Sequence, residues 1–283
     1  MVSVQSRTLR RARGTVPVLL ALIALVAVLL LLGPLVALLL NIPWHRAVAL
    51  VSDPATVQSL TLSLSTALAA TGLCVVLGFP LALWLVGLSR RHPGRGDAVQ
   101  VVVFAPLVLS PVVSGLALVF FWGRRGIVGQ WLDGLGVSVA YTSLAVVVVQ
   151  VFVSLPFFVA TTATALRGIP EVLTESAALD GASRWQTVLH ILVPLAWPGM
   201  AVGTVLSFAR ALSEYGATLT FAGNVAGRTR TIPLLVELGL SANDMDRALG
   251  ACLTLIGVYL VVVGGIALVR ARSGRDTANP RRR

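Results

Sequence analysis

Two ionisable side chains stand inside an otherwise apolar run: Arg210 and Glu214, within Ser207-Phe-Ala-Arg-Ala-Leu-Ser-Glu-Tyr-Gly-Ala217. Charge inside a membrane is costly and ordinarily faces a bundle interior or a watery path. Spaced four apart, the two share one helix face and can pair. Two readings stand open: an ion pair that locks helix packing, or a pore-lining cation near an outer gate for an anionic solute. A second polar stretch centres on Glu175-Ser-Ala-Ala-Leu-Asp-Gly181 and is followed by Ile191-Leu-Val-Pro194. Catalysis finds little support. His45, His92 and His190 fall in loops or at a helix end, with no HExxH pair. Cys74 and Cys252 lie in apolar runs and read as small core residues rather than as a disulfide or metal ligands. The chain has no Lys, hence no glycine-rich lysine loop for nucleotide phosphates; Gly264-Gly265 sits in apolar helix.

The elements that position these residues follow from composition. The 283 residues are 57% hydrophobic and 12% charged, against about 25% charged in soluble domains. A helix needs about 20 apolar residues to cross a bilayer core. Six runs qualify: Val16 to Leu40, about Thr56 to Leu88, Ala98 to Gly123, Tyr141 to Leu166, Pro194 to Ala222, and Ala248 to Val269. The first is too long for a cleaved signal core and reads as an anchor helix. Arg10-Arg11 reads as an ordinary basic flank rather than a twin-arginine signal. Ser59-Leu-Thr-Leu-Ser-Leu-Ser65 alternates like a strand. A barrel needs such alternation throughout, and the later runs lack it. The expected class is therefore an all-α integral membrane protein of six transmembrane helices. Pro80, Pro106, Pro111 and Pro156 interrupt the runs and predict curvature. Pro106 and Pro111 bracket a stretch reaching Ser114-Gly115 where a kinked, pore-lining helix is expected. Ile232-Pro-Leu-Leu-Val-Glu237 suggests a short helix on the outer face.

Six spans put both termini on one side. Cytoplasmic flanks carry excess Arg. With the N-terminus inside, 15 arginines lie in inside segments and 6 in outside segments, leaving Arg210 within a span. The bias predicts cytoplasmic termini and places the loop around Glu175 in the cytoplasm. It also accounts for the net charge of +11 without a nucleic-acid partner: the arginines are spread over loop ends, and the Arg281-Arg-Arg283 tail suits lipid headgroups or solvent. The organisation expected is a basic segment at 1–15, a first helix and outer loop at 16–56, a transmembrane domain at 57–270, and a basic tail at 271–283.

The loop at about 167–193 has the makings of a two-helix elbow. Pro170 suits a helix start, where no backbone donor is needed. Glu171 and Glu175 near that start favour the helix dipole. Leu173, Ala177 and Ala178 form a small apolar face able to enter a shallow groove. Gly181 permits a turn that other residues resist. A second helix at about Arg184 to Leu192 then leads to Pro194.

This spacing resembles the EAA loop of ABC importer permeases: Glu-Ala-Ala, Gly after three residues, then Ile-x-Leu-Pro after nine more. Glu175, Ala177, Gly181, Ile191 and Pro194 occupy those positions, with Ser176 for the first Ala and Val193 for the Leu. The resemblance implies a type I ABC importer permease whose elbow docks on an ATPase through Glu175, Ala177, Ala178, Asp180, Gly181, Ile191 and Pro194. A narrower similarity follows. Phe208-Ala-Arg-Ala-Leu-Ser-Glu-Tyr-Gly-Ala-Thr218, then Phe221-Ala-Gly-Asn224 and Gly227-Arg-Thr-Arg-Thr231, resembles the molybdate/tungstate branch. Ser213 stands for the usual Gly and Tyr215 for the usual Phe. Pro106-Leu-Val-Leu-Ser-Pro111 is similar to that family's third-helix segment, with Ser110 where a second Pro is usual. The similarity spans about residues 57–270.

What the resemblance implies is a homodimeric permease in the cell membrane. It would work with a cytoplasmic ABC ATPase dimer and an extracytoplasmic solute-binding protein, and import molybdate or a similar tetrahedral oxyanion by alternating access. Arg210, Glu214, Ser110 and Pro111 would be its pore or gate residues. It would hold no cofactor or metal itself, ATP being used by the partner ATPase, and would not be an enzyme. A sulfate/thiosulfate permease of the same architecture is the alternative. A secondary transporter has less support, since Glu214 is the one carboxylate inside a span and no internal repeat is visible.

Overall fold

The computed structural model describes residues 18–136 and 138–277. Among them there is no strand. The basic segment 1–15 and the end of the basic tail lie outside the described residues. The chain divides into two units, one ending at Trp44 and one beginning at His45.

The first unit holds one helix, α1 (Val18–Leu40), free of charge and containing Pro34. At the standard rise its 23 residues cover about 34 Å, enough for a bilayer core. Its end is tied off locally: the Asn41 side chain donates to Ala37 O (2.8 Å) and Trp44 Nε1 donates to Leu39 O (3.0 Å).

The second unit begins with α2 (Ala47–Val51) and the long α3 (Pro54–Arg91), then α4 (Pro93–Val108), α5 (Pro111–Trp122) and α6 (Gly129–Gly134). The α7 helix (Ser143–Arg167) follows, then the short α8 (Glu171–Leu179) and α9 (Arg184–Thr187). The rest is α10 (Val193–Leu212), α11 (Gly216–Ala222), α12 (Ile232–Ser241) and α13 (Met245–Thr277). Asp53 caps α3, accepting from the backbone N–H groups of Ala55 (3.1 Å) and Thr56 (3.3 Å), with Pro54 in the first turn.

The alternating Ser59–Ser65 segment is helical. Its hydroxyl and small residues belong to a face that recurs every three or four positions: Thr56, Ser59, Ser63, Thr66, Ala67, Ala70 and Cys74 are buried. The hydroxyls stay satisfied inside apolar surroundings by donating one turn back, Thr66 to Leu62 O (2.8 Å) and Thr71 to Ala67 O (2.7 Å). Small residues let α3, α7 and α10 approach closely. A side chain at Gly78 would meet the Phe158 ring; one at Gly203 would meet Thr161, and one at Gly199 would meet Ala165. Around these contacts Leu85, Phe158, Val159, Leu166 and Met200 form one core cluster; Leu118, Val146, Val149 and Phe221 form another.

Two of the expected spans are not single helices. The run from Ala98 to Gly123 breaks at Leu109–Ser110, and α4 and α5 meet there at 113°. The break has a local cause. Pro111 forces the preceding residue out of the helical region, and Ser110 is extended (ψ 149°), its Oγ accepting from Val113 N (3.4 Å). The run from Pro194 to Ala222 ends as α10 at Leu212 and restarts as α11 at Gly216. Among the described residues, five helices are long and apolar enough to cross a membrane, or six if the bent pair counts as one span. The expected surface helix at 232–237 runs to Ser241 and is not superficial: Ile232, Leu234 and Leu235 are buried, and its apolar side packs with Ala251 of α13 and Leu60 of α3. The last helix continues beyond residue 270 to Thr277.

Candidate functional site

The loop between α7 and α10 folds as two helices meeting at Gly181, as expected, but the second is not separate from the next span: one helix runs from Arg184 to Leu212. Pro170 stands at the N-cap of α8, with Glu171 in the first turn. Asp180 ends the helix, and Gly181 takes φ +81°. The turn is closed by Gly181 N to Ala178 O (3.1 Å) and Ala182 N to Ala177 O (2.9 Å). A Cβ on Gly181 would meet nothing within 4 Å, so glycine is required there by backbone angle and not by crowding.

Ser183 then starts the second helix with a reciprocal cap. Its Oγ accepts from Gln186 N (3.3 Å), and its own N–H donates to Gln186 Oε1 (2.7 Å). From Arg184 the helix runs without interruption to Leu212. It widens over Val188–Leu192, where Val193 N donates to Val188 O. Pro194 gives the reason: it has no N–H to offer, and its ring displaces the carbonyl one turn back. Ile191 and Pro194 therefore sit at a helical junction between the elbow and α10.

Glu175, Ala178, Asp180 and Gly181 are exposed, whereas Ala177 and Ile191 are half-buried. An open groove of about 350 Å³ runs along Asp180, Gly181, Gln186, Thr187, His190 and Ile191. Sequence reasoning missed two prominent members of this surface. Leu179 is 88% exposed and Trp185 75%. Both are large apolar residues that flank the Asp180–Ser183 turn, and that position was the available signal.

At its other end α10 carries the charged pair. Arg210 Nη2 lies 2.6 Å from Glu214 Oε2. The pair forms as expected from the spacing, but not on one uninterrupted helix: Glu214 lies past the end of α10. Its second oxygen accepts from Ala217 N (2.8 Å), the first turn of α11. Glu214 is 1% exposed, and both its oxygens are thus used. A buried carboxylate needs such partners. Arg210 is partly exposed, with 28% of its side chain accessible.

The two helix breaks face each other. A Cβ on Gly216 would lie 2.7 Å from Pro111 Cβ, and one on Gly115 would lie 2.6 Å from Thr220 Cβ. Pro111, at the start of α5, thereby rests on the backbone two residues from Glu214. The four residues singled out as a gate, Arg210, Glu214, Ser110 and Pro111, gather around these two breaks. Gly115 lies in the stretch marked for a kinked helix; Gly216 and Thr220, which with it make the approach possible, were not foreseen.

The architecture is an all-helical bundle with several spans and a two-helix elbow between two of them. Residues 75–272 match the model of the family described as binding-protein-dependent transport system inner membrane component, and the chain belongs to that family. It is a multi-pass membrane protein of the type I ABC importer permease fold. It is 40% identical over 254 residues to the molybdenum transport system permease protein ModB of Mycobacterium tuberculosis, covering 90% of this chain and 94% of that one. With ModB of Escherichia coli it shares 39% identity over 225 residues, 77% of this chain and 96% of the relative. The sulfate transport system permease protein CysT of Escherichia coli is 31% identical over 251 residues, with 87% and 89% covered. Among solved structures, a bacterial ABC transporter involved in alginate import superposes with a TM-score of 0.66 at 23% identity, covering 90% of this chain and 95% of its own. That likeness shows the fold alone. These relatives are transport permeases, not enzymes.

Proposed function

We propose that the chain is the permease of an ATP-driven importer for molybdate or a similar tetrahedral oxyanion. The observation that carries the reading is the elbow: a capped, glycine-turned pair of helices, continuous with α10, whose far end holds Arg210. Movement imposed on Gly181 and Ser183 passes along the continuous helix from Arg184 to Leu212 and arrives at the Arg210–Glu214 break. The substrate class comes from the relatives, where the molybdenum permeases share 39–40% identity and the sulfate permease 31%.

The mechanism follows from these parts. Two copies of the chain enclose one pathway. Their elbows lie in the cytoplasm and dock on an ATPase dimer through Glu175, Ala177, Ala178, Asp180, Gly181, Ile191 and Pro194, with Leu179 and Trp185 as apolar knobs. Both termini are cytoplasmic. ATP closes the ATPase dimer and draws the elbows together, and the pathway opens toward the binding protein, which releases the anion. The Arg210 guanidinium, held by Glu214 in the resting geometry, keeps further donors free for oxygen atoms. Hydrolysis resets the elbows. ATP is spent in the ATPase, and this chain needs no cofactor.

The test is ATP turnover by the chain reconstituted with its ATPase and binding protein, with molybdate, tungstate, sulfate and thiosulfate added in turn. Stimulation by molybdate or tungstate alone is the expected result. Stimulation by sulfate would keep the machine and change the substrate. No response to any of the four would overturn the oxyanion reading.

A further inference from the structure

We infer that the elbow drives the α3–α4 hairpin as well as the two helices it joins, with Arg90 as the positioning residue. The inference rests on the coupling role proposed above. Arg90, at the end of α3, grips both sides of the Pro170 hinge. Its Nε lies 3.0 Å from Glu171 Oε1, and its Nη2 donates to Ile169 O at 3.3 Å. Ile169 itself is buried, packed with Leu85, Val86 and Leu166. A second tie lies beside the first: Arg167 Nη2, in the last turn of α7, donates to Gln100 Oε1 on α4 at 2.9 Å.

The two limbs of the hairpin are themselves locked. Gly96 of α4 packs on the backbone of Ser89 so closely that any side chain there would collide with it. The hairpin therefore follows the hinge as one body. Its α4 limb ends at the Ser110–Pro111 break, which rests on Gly216 beside Glu214. The elbow thus has two routes to the same place, one through α10 and one through Arg90 and α4.

Stability does not explain the contact. Arg90 and Glu171 expose 34% and 58% of their side chains, and pairs this exposed contribute little. Glu171 is already favourable at the start of α8 without any partner. A planar guanidinium holding a carboxylate and a carbonyl at once instead fixes an angle between α3 and the first turn of α8.

The experiment measures molybdate moved per ATP hydrolysed by the reconstituted transporter carrying Arg90→Ala, Glu171→Gln, or both. The expected ratio falls about threefold or more in each single variant, and the double variant is no worse than Arg90→Ala. A merely structural contact would lower uptake and hydrolysis together and leave the ratio unchanged, which overturns the inference. Additive losses in the double variant overturn it too, since the two residues would then act separately. Glu171→Gln keeps the shape of an exposed side chain, so the question survives if Arg90→Ala fails to assemble. A wild-type assembly that moves no oxyanion overturns the functional reading, and this one with it.

Discussion

At the scale of single residues, Gly181 and Glu214 are fixed by different physics. Gly181 sits in open space at φ +81°. Gly181→Val therefore brings no clash but a backbone cost of about 1–2 kcal/mol, small against a membrane bundle and large for one turn. The variant should insert and express normally yet lose most uptake while ATP hydrolysis continues. Gly181→Asn, which tolerates left-handed angles, should retain more. Uptake by Gly181→Val equal to wild type would remove the turn from the mechanism. Glu214 poses the opposite case, a buried carboxylate with both oxygens in use. Arg210→Ala leaves it unpaired, at a cost of about 3–5 kcal/mol. Combining Arg210→Met with Glu214→Gln should recover much of that, because the amide oxygen still accepts from Ala217 N. Thermal melting in detergent separates the two outcomes. Transport should stay impaired in both, since both lack the guanidinium; recovery of uptake in the double variant would reduce the pair to a packing device.

At the scale of elements, the breaks at Ser110 and at Ser213–Tyr215 decide how the bundle is shaped. Gly216→Leu places a side chain where Pro111 Cβ stands, and overpacking of that kind costs about 1–3 kcal/mol. The melting temperature should fall, and Pro111→Gly, which removes the Cβ that the new side chain meets, should make Gly216→Leu cost less than it does in the wild-type background. If Gly216→Leu melts like wild type, the two breaks do not touch. These breaks also mark where sequence reading stopped. Hydropathy finds apolar runs: five of the six it marked hold a helix long and apolar enough to cross a membrane, and the sixth is the bent pair, because lipid demands length and little else. It is blind to direction within a run. Nothing in the apolarity of residues 98–123 distinguishes a kink from a 113° bend; the bend depends on Ser110 capping its own successor helix. Likewise the i,i+4 spacing of Arg210 and Glu214 foretold their pairing, but not that the helix ends between them. The elbow was more legible, because Pro170, Glu171 and Gly181 are local signals whose effects act within a few residues.

At the scale of the whole molecule, the arginines separate by end. Arg90 and Arg167 act beside the elbow. At the far ends of the same helices Arg46 pairs with Asp246, and the Arg228 carbonyl accepts from Ser143 Oγ. The proposed orientation, with the elbow end in the cytoplasm, rests on the 15-to-6 division of arginines between inside and outside segments. Leu179→Cys should then react with a membrane-impermeant maleimide only after the cells are opened, whereas Trp131→Cys, 80% exposed at the other end, should react in intact cells. The reverse pattern would invert the molecule and put the elbow out of reach of an ATPase. The most direct measurement is uptake of molybdate into proteoliposomes holding the chain, its ATPase and its binding protein, with ATP supplied on the elbow side only. The account predicts accumulation against a gradient that stops when ATP is withheld and fails with Gly181→Val. Accumulation without ATP, or none with it, would contradict an ATP-driven permease coupled through this elbow.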